Sequence, residues 1–293
     1  MRAIKQTGMI SGLISLAIAF IFYLAFPGKV NLIWIAVILS SSASFAIISA
    51  MIAARNLYFL AGSVPHSALL SAGLAILTSL TIGGNSFLWN LSFNVLMILT
   101  VGYAIHKGAD PNRVTSIFVG ITASLTVTVL YYLINHFYLA RSVTSEILGD
   151  PLLSTTADAY ISLAALSFTV LIFAFSYKEN LLIGIFGRDS WLSGINVYFY
   201  DYIFYLLLAV VSASFMKIVG FILTHIFILI PGAIASMVSS SSIKAINVAI
   251  GISTLSASIG LILGVIFNLS PAGITGIVMM LIYGFILIGK KVK

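Results

Sequence analysis

Two histidines, His66 and His225, stand well inside apolar runs of this sequence, where an ionisable side chain is costly and marks a functional position by default. His66 lies eleven residues past Arg55 and His225 eight past Lys217, which is about 16 Å and about 12 Å along a helix at 1.5 Å per residue. If those two cations mark opposite faces of a bilayer, the depths sum to about 28 Å. A hydrocarbon core is about 30 Å thick, so both rings fall near one level. Imidazole is a neutral ligand for zinc and similar divalent ions, and one reading of the pair is a cation path with His66 and His225 as metal ligands. The other reading is that each ring satisfies a carbonyl of a neighbouring helix. The run Ala61-Gly-Ser-Val-Pro-His-Ser67 predicts an interruption of the helix at His66. At membrane depth such a break survives only where it is buried in protein or lines a wet cavity, so Gly62 and Ser63 join the histidines as candidate pathway residues.

Other chemistry is excluded by position. No Asp or Glu falls in the middle of an apolar run: Asp110, Glu179 and Asp189 sit on one side, Glu146, Asp150 and Asp158 on the other, and Asp201 only five residues past Asn196. A proton- or sodium-coupled carrier needs a carboxylate in its path, so an external motor is the better expectation. His106 and His136 read as interfacial. Gly284 to Lys290 has the spacing of a phosphate-binding loop but lacks the following Ser or Thr and lies in an apolar run, so no nucleotide and no cofactor is expected on this chain. The metal-ligating or nucleophilic constellations of an intramembrane enzyme are missing too.

These residues need helices to hold them. With 61% hydrophobic and 7% charged residues among 293, the chain cannot cover a water-soluble globule, and lipid must be its solvent. Runs of about twenty apolar residues predict an all-α, polytopic membrane protein with spans near 8–27, 32–53, 56–82, 87–106, 115–140, 157–177, 198–216, 218–239, 243–266 and 272–289. Only Lys217 separates two of these, so the count is eight to ten. With the N-terminus inside, Lys29, Arg141 and Lys217 fall outside and the other eleven cations inside, the asymmetry that short loops show. Both termini are then cytoplasmic in a plasma membrane, and the cations, single between apolar runs, speak against nucleic acid. The leader-like N-terminus reads as a first span rather than a cleaved signal, no cysteine is present, and residues 1–293 read as one membrane domain. The longest internal loop, 178–197, contains Phe186, Arg188, Asp189, Trp191, Gly194 and Asn196. A short amphipathic helix on the membrane surface fits it, either as an interfacial loop anchored by Trp191 or as a docking surface for a soluble partner.

In order and spacing these features resemble the permease subunits of the ABC importers for zinc, manganese and iron. Ala61 to Ser67 is similar to that family's Gly-Asp-Ala-Leu-Ser-His segment, with His66 on the histidine and Gly62 where the aspartate stands. Gly149-Asp150, Val219-Gly220, Ile228-Leu-Ile-Pro231 and the turn Asn268 to Gly273 match further pieces, and Gly194-Ile-Asn-Val197 ends a stretch similar to the cytoplasmic coupling segment. The resemblance implies the ABC importer permease fold, related to that of cobalamin and siderophore permeases. It implies a homodimer of permeases, a cytoplasmic ABC ATPase meeting the segment from Phe186 to Asn196, an extracellular solute-binding protein, and a divalent metal ion as substrate. A metal chelate or other small solute is the alternative substrate. A secondary carrier or intramembrane enzyme is the alternative of another class.

Overall fold

The structure, a computed structural model, describes residues 17, 23, 30–138 and 149–291. Almost all of the expected span at 8–27 and the first half of the expected loop after 140 lie outside the described residues. Eight helices long and apolar enough to cross a membrane are present among those described: α1 Leu32–Arg55, α2 Tyr58–Thr81, α3 Ser86–His106, α4 Pro111–Phe137, α5 Thr156–Phe186, α6 Val197–Val238, α7 Ser242–Phe267 and α8 Pro271–Lys291. No strand occurs among them, and two short 3-10 turns, Pro151–Leu153 and Gly187–Ser193, flank α5.

The helices start where small polar side chains can take the orphan amide hydrogens of a first turn. Asn31, Asn85, Asp110 and Ser241 each accept a backbone N–H from the turn they precede, and Thr155 with Asp158 forms a reciprocal capping box at α5. Asn56, left-handed at φ 54°, ends α1 and leaves only Leu57 before α2 begins.

Helix α6 has 42 residues, about 63 Å if straight, twice a hydrocarbon core. It is a hairpin. Gly220, at φ 76° and ψ 168°, holds a conformation open essentially to glycine alone and turns the chain back on itself. Phe215 before the corner and Phe227 after it both pack on Phe45 of α1, with ring centroids 5.6 and 6.1 Å away. Asp201 at the start of the first arm pairs with Arg55, and Ser236 near the end of the second shares a cavity with Ala53 and Ala54. The two spans expected at 198–216 and 218–239 are these arms.

Helix α1 is the axis of the bundle, enclosed by α5, α6 and α7, while α2 packs on α3, α4 and α6. Its inner half is rich in buried small residues, Ser40 to Ser42, Ser44, Ala46 and Ser49, which let backbones approach closely without a hydrophobic drive between helices. The closest approach is at Gly232, where an added Cβ would strike the Ser49 backbone. Large apolar side chains instead project outward from α4, α5 and α8, as at Val127, Leu171 and Phe285, the distribution expected of a protein dissolved in lipid.

Candidate functional site

The structure brings His66 of α2 and His225 of the returning arm of α6 edge to face, with ring centroids 5.2 Å apart and planes at 85°. Phe221 lies edge-on to both, at 5.0 and 4.6 Å. The His225 Nδ1 is 3.1 Å from the Phe221 carbonyl oxygen one turn back, and its ring also reaches the Gly62 backbone. The carbonyl contacts expected of a packed imidazole are present at His225. His225 is held by carbonyls, and the held ring is turned toward a second imidazole.

Both rings are half-buried. Along α2, Phe59, Gly62 and His66 recur at the spacing of one helix face, as do Ile222, His225 and Leu229 along α6; Phe59 and Ile222 are exposed. Nothing lies within 4 Å of a Cβ added at Gly62, so the space beside the pair is open. Among the described residues no three His, Cys, Asp or Glu gather to hold an ion. The donors here are two neutral imidazoles and a carbonyl, a set that can greet a divalent ion but not encage it.

Two expectations need correction. The segment Ala61–Ser67 does not interrupt its helix: α2 runs unbroken from Tyr58 to Thr81 with Pro65 inside it. Proline removes one amide donor there, and the flanking hydroxyls bind back to the helix, Ser63 to the Leu60 carbonyl at 2.7 Å and Ser67 to that of Val64 at 2.8 Å. Ser63 is fully buried, its hydroxyl directed to its own helix rather than to the rings. The second correction concerns the loop at 178–197, most of which is helix.

At the Arg55 end of the bundle, four helices meet in a charged network that sequence reasoning missed. The Arg55 guanidinium pairs with the Asp201 carboxylate and donates to Asn180 Oδ1 at 2.9 Å. Asn180 donates to the Ser176 carbonyl at 2.8 Å, and His106 Nε2 stands 3.5 Å from the second Asp201 oxygen. The two charged side chains keep only 6% and 10% exposure. Tyr198, Tyr202 and Tyr205 surround the His106 ring. His106 had looked interfacial and Asp201 merely early in its helix. The available signal was that Arg55, His106 and Asp201 each lie within about a turn of a helix end, and the charge rule puts all three ends on one side.

The same end carries the expected coupling segment. Helix α5 continues to Phe186, a 3-10 turn spans Gly187–Ser193, Gly194 closes it at φ 77°, and Asn196 caps α6 by accepting the Phe199 amide. Ser190 is buried and donates to the Leu182 carbonyl at 3.2 Å, folding the turn against α5. The apolar side chains of Phe186, Trp191 and Leu192 point outward at 57, 65 and 71% exposure, and Asp189 is exposed beside them. The Arg188 side chain lies outside the described residues. Trp191, Asn196, His106, Tyr198 and Asp201 all line one cavity of about 440 Å³.

The opposite end is plainer. Lys217, at the α6 corner, lies 3.3 Å from Asp158. The backbone at Val219 and Gly220 presses so closely on Gly149 that a side chain there would collide.

Comparison with known proteins fits this architecture. The model of the ABC 3 transport family matches residues 28–290. The manganese transport system membrane protein MntC of Listeria innocua is 26% identical over 237 residues, covering 81% of this chain and 82% of its own. The high-affinity zinc uptake system membrane protein ZnuB of Buchnera aphidicola is 28% identical over 255 residues, covering 86% and 91%. Among solved structures, PsaBC from Streptococcus pneumoniae in complex with Fab superposes with a TM-score of 0.76 at 20% identity, covering 91% of this chain and 94% of that one.

Proposed function

The chain belongs to the ABC 3 transport family, and from that premise we propose that it is the membrane path of an importer for a divalent metal ion of the manganese, zinc and iron group. The relatives' names support the metal, and the observation that carries it onto this chain is the His66–His225 pair. Two imidazole rings from adjacent helices meet edge to face beside the open space at Gly62. A path must bind its ion well enough to strip water and loosely enough to release it. Two imidazoles without a carboxylate suit a transit site.

The half-exposed rings argue for a homodimer. An imidazole N–H facing lipid has no partner, at a cost of roughly several kcal/mol, whereas a second copy laid on the same face adds its own pair and encloses water between them. Residues 1–293 form one permease domain in this reading. The Arg55 end is cytoplasmic, as are both termini, because Arg55, Lys107, Arg113, Lys178 and Lys244 gather there. The segment from Phe186 to Asn196 then receives the ABC ATPase. The Lys217 end faces the solute-binding protein. Hydrolysis belongs to the ATPase, since this chain carries no phosphate-binding loop.

Uptake of manganese, zinc and iron by cells carrying the intact importer tests the metal reading. His66→Ala and His225→Ala each abolish uptake of the transported ion while the complex still assembles, and the double variant adds little, because two ligands of one site act as a unit. Uptake untouched by either change overturns the pair as the path. The orientation is tested by crosslinking: a cysteine at Ser193, exposed beside Trp191, is captured by the ATPase, and one at Ala157 on the other end is not. Equal capture of both refutes it.

A further inference from the structure

We propose that the buried Arg55–Asp201 pair is the mechanical link that carries a displacement of the coupling segment to the helix bearing His66. The proposal rests on the permease reading above and adds to it a route for the ATPase stroke.

Asp201 lies five residues after Asn196, so it rides on the first turns of α6, directly behind the segment on which the ATPase is placed. Its carboxylate grips Arg55, the last residue of α1. Beyond Arg55 only Asn56 and Leu57 intervene before α2, and Asn56 is left-handed, so the last turn of α1 and the first turn of α2 are joined by a tight, defined corner. Helix α2 packs on α3, α4 and α6 but hardly on α1. At this end α2 is joined to α1 by the Arg55 corner and to the returning arm of α6 by the Tyr58–Ser236 hydrogen bond. His66 follows eleven residues along, about 16 Å up a helix that transmits a tilt as a rod.

The surroundings favour a link over a plain brace. A buried ion pair stabilises a fold no better than well-packed apolar side chains of the same size, and the best-attested reason to keep one is to fix register or act as a switch. Here the pair ties α1 to α6, Asn180 ties it to α5, and His106 ties it to α3. Trp191, Asn196 and Asp201 line one cavity of about 440 Å³, which leaves room for the segment to move relative to the pair. One charged contact thus links the helix behind the outward-facing Trp191 and Leu192 to the corner from which the His66 helix starts, alongside the direct packing of α2 on α6.

The experiment uses the complete complex with its ATPase and binding protein in proteoliposomes and measures metal ions moved per ATP hydrolysed. Two variants are compared with the unaltered chain: Asp201→Asn, which removes the charge, and Arg55→Met with Asp201→Leu, which replaces the pair by apolar packing. Both are expected to bind the ATPase and hydrolyse ATP within about twofold of the unaltered complex, while the transport-to-hydrolysis ratio falls about tenfold, in the range of an allosteric coupling energy. Should Asp201→Asn fail to assemble, the apolar pair decides alone. An unchanged ratio in the variant that assembles, with uptake and hydrolysis falling together or not at all, overturns the link and leaves the pair a brace. Failure of the permease reading shows separately, on the unaltered chain, as no ATPase binding and no ATP-driven uptake, and the link falls with it.

Discussion

The middle of the bundle and its Arg55 end solve the problem of polar groups in a low-dielectric protein in opposite ways. At mid-depth the chain uses groups that are neutral at ordinary pH, leaves them half-exposed on one face, and holds only one of the two rings by backbone carbonyls. At the end it uses full charges, buries them almost completely, and gives each a partner from another helix. A charge that must stay put is affordable in such surroundings only when paired. On the proposed role as an ion path, the pair keeps one face open to a passing ion, and neutrality makes that tolerable. The contrast separates a fixed polar network from an open one.

The contrast can be broken at either region. The largest effect is expected from Arg55→Leu, which leaves the Asp201 carboxylate without its main counter-charge: about 3–5 kcal/mol of stability, read as a fall in melting temperature of the detergent-solubilised protein. Pairing that end with apolar residues on both sides should return the melting temperature close to its original value. A smaller loss is expected of His225→Leu, which gives up its contacts to the Phe221 and Gly62 backbone and costs about 1–2 kcal/mol, even though uptake is lost. A His225→Leu protein as unstable as Arg55→Leu would erase the distinction. Smallest is Ser63→Ala, whose buried hydroxyl serves the Leu60 carbonyl: a loss of about 0.5–1 kcal/mol, with uptake intact. Lost uptake there would place Ser63 in the path.

Much of this fold was legible because lipid imposes a simple grammar of length and apolarity. Expected spans such as 87–106 and 243–266 lie within a residue of the helices Ser86–His106 and Ser242–Phe267. The hairpin was visible only as a single lysine between two apolar runs, and Gly220 makes the turn three residues further on. The level shared by His66 and His225 could be counted from the faces; their azimuth could not, since it depends on how α2 and α6 rotate when packed. Pro65 misled, because a helix packed inside a bundle carries a proline that would break it in water. The Arg55 network escaped because its members are far apart in sequence, Arg55 and Asp201 by 146 residues, and only a folded chain puts them together.

The enclosure of α1 has a consequence for how the protein is made. Its neighbours α5, α6 and α7 are all synthesised later, so α1 enters the membrane long before the helices that surround it exist. Until residue 267 has been inserted, its serine-lined flanks must rest against lipid, insertion machinery or transient partners. The hydroxyls of Ser41, Ser42 and Ser44 bond back to carbonyls of α1 itself, so the helix carries its own means of waiting. Its closest packing, at Ser49 against Gly232, joins segments 183 residues apart, which makes completion of the core a late event in assembly.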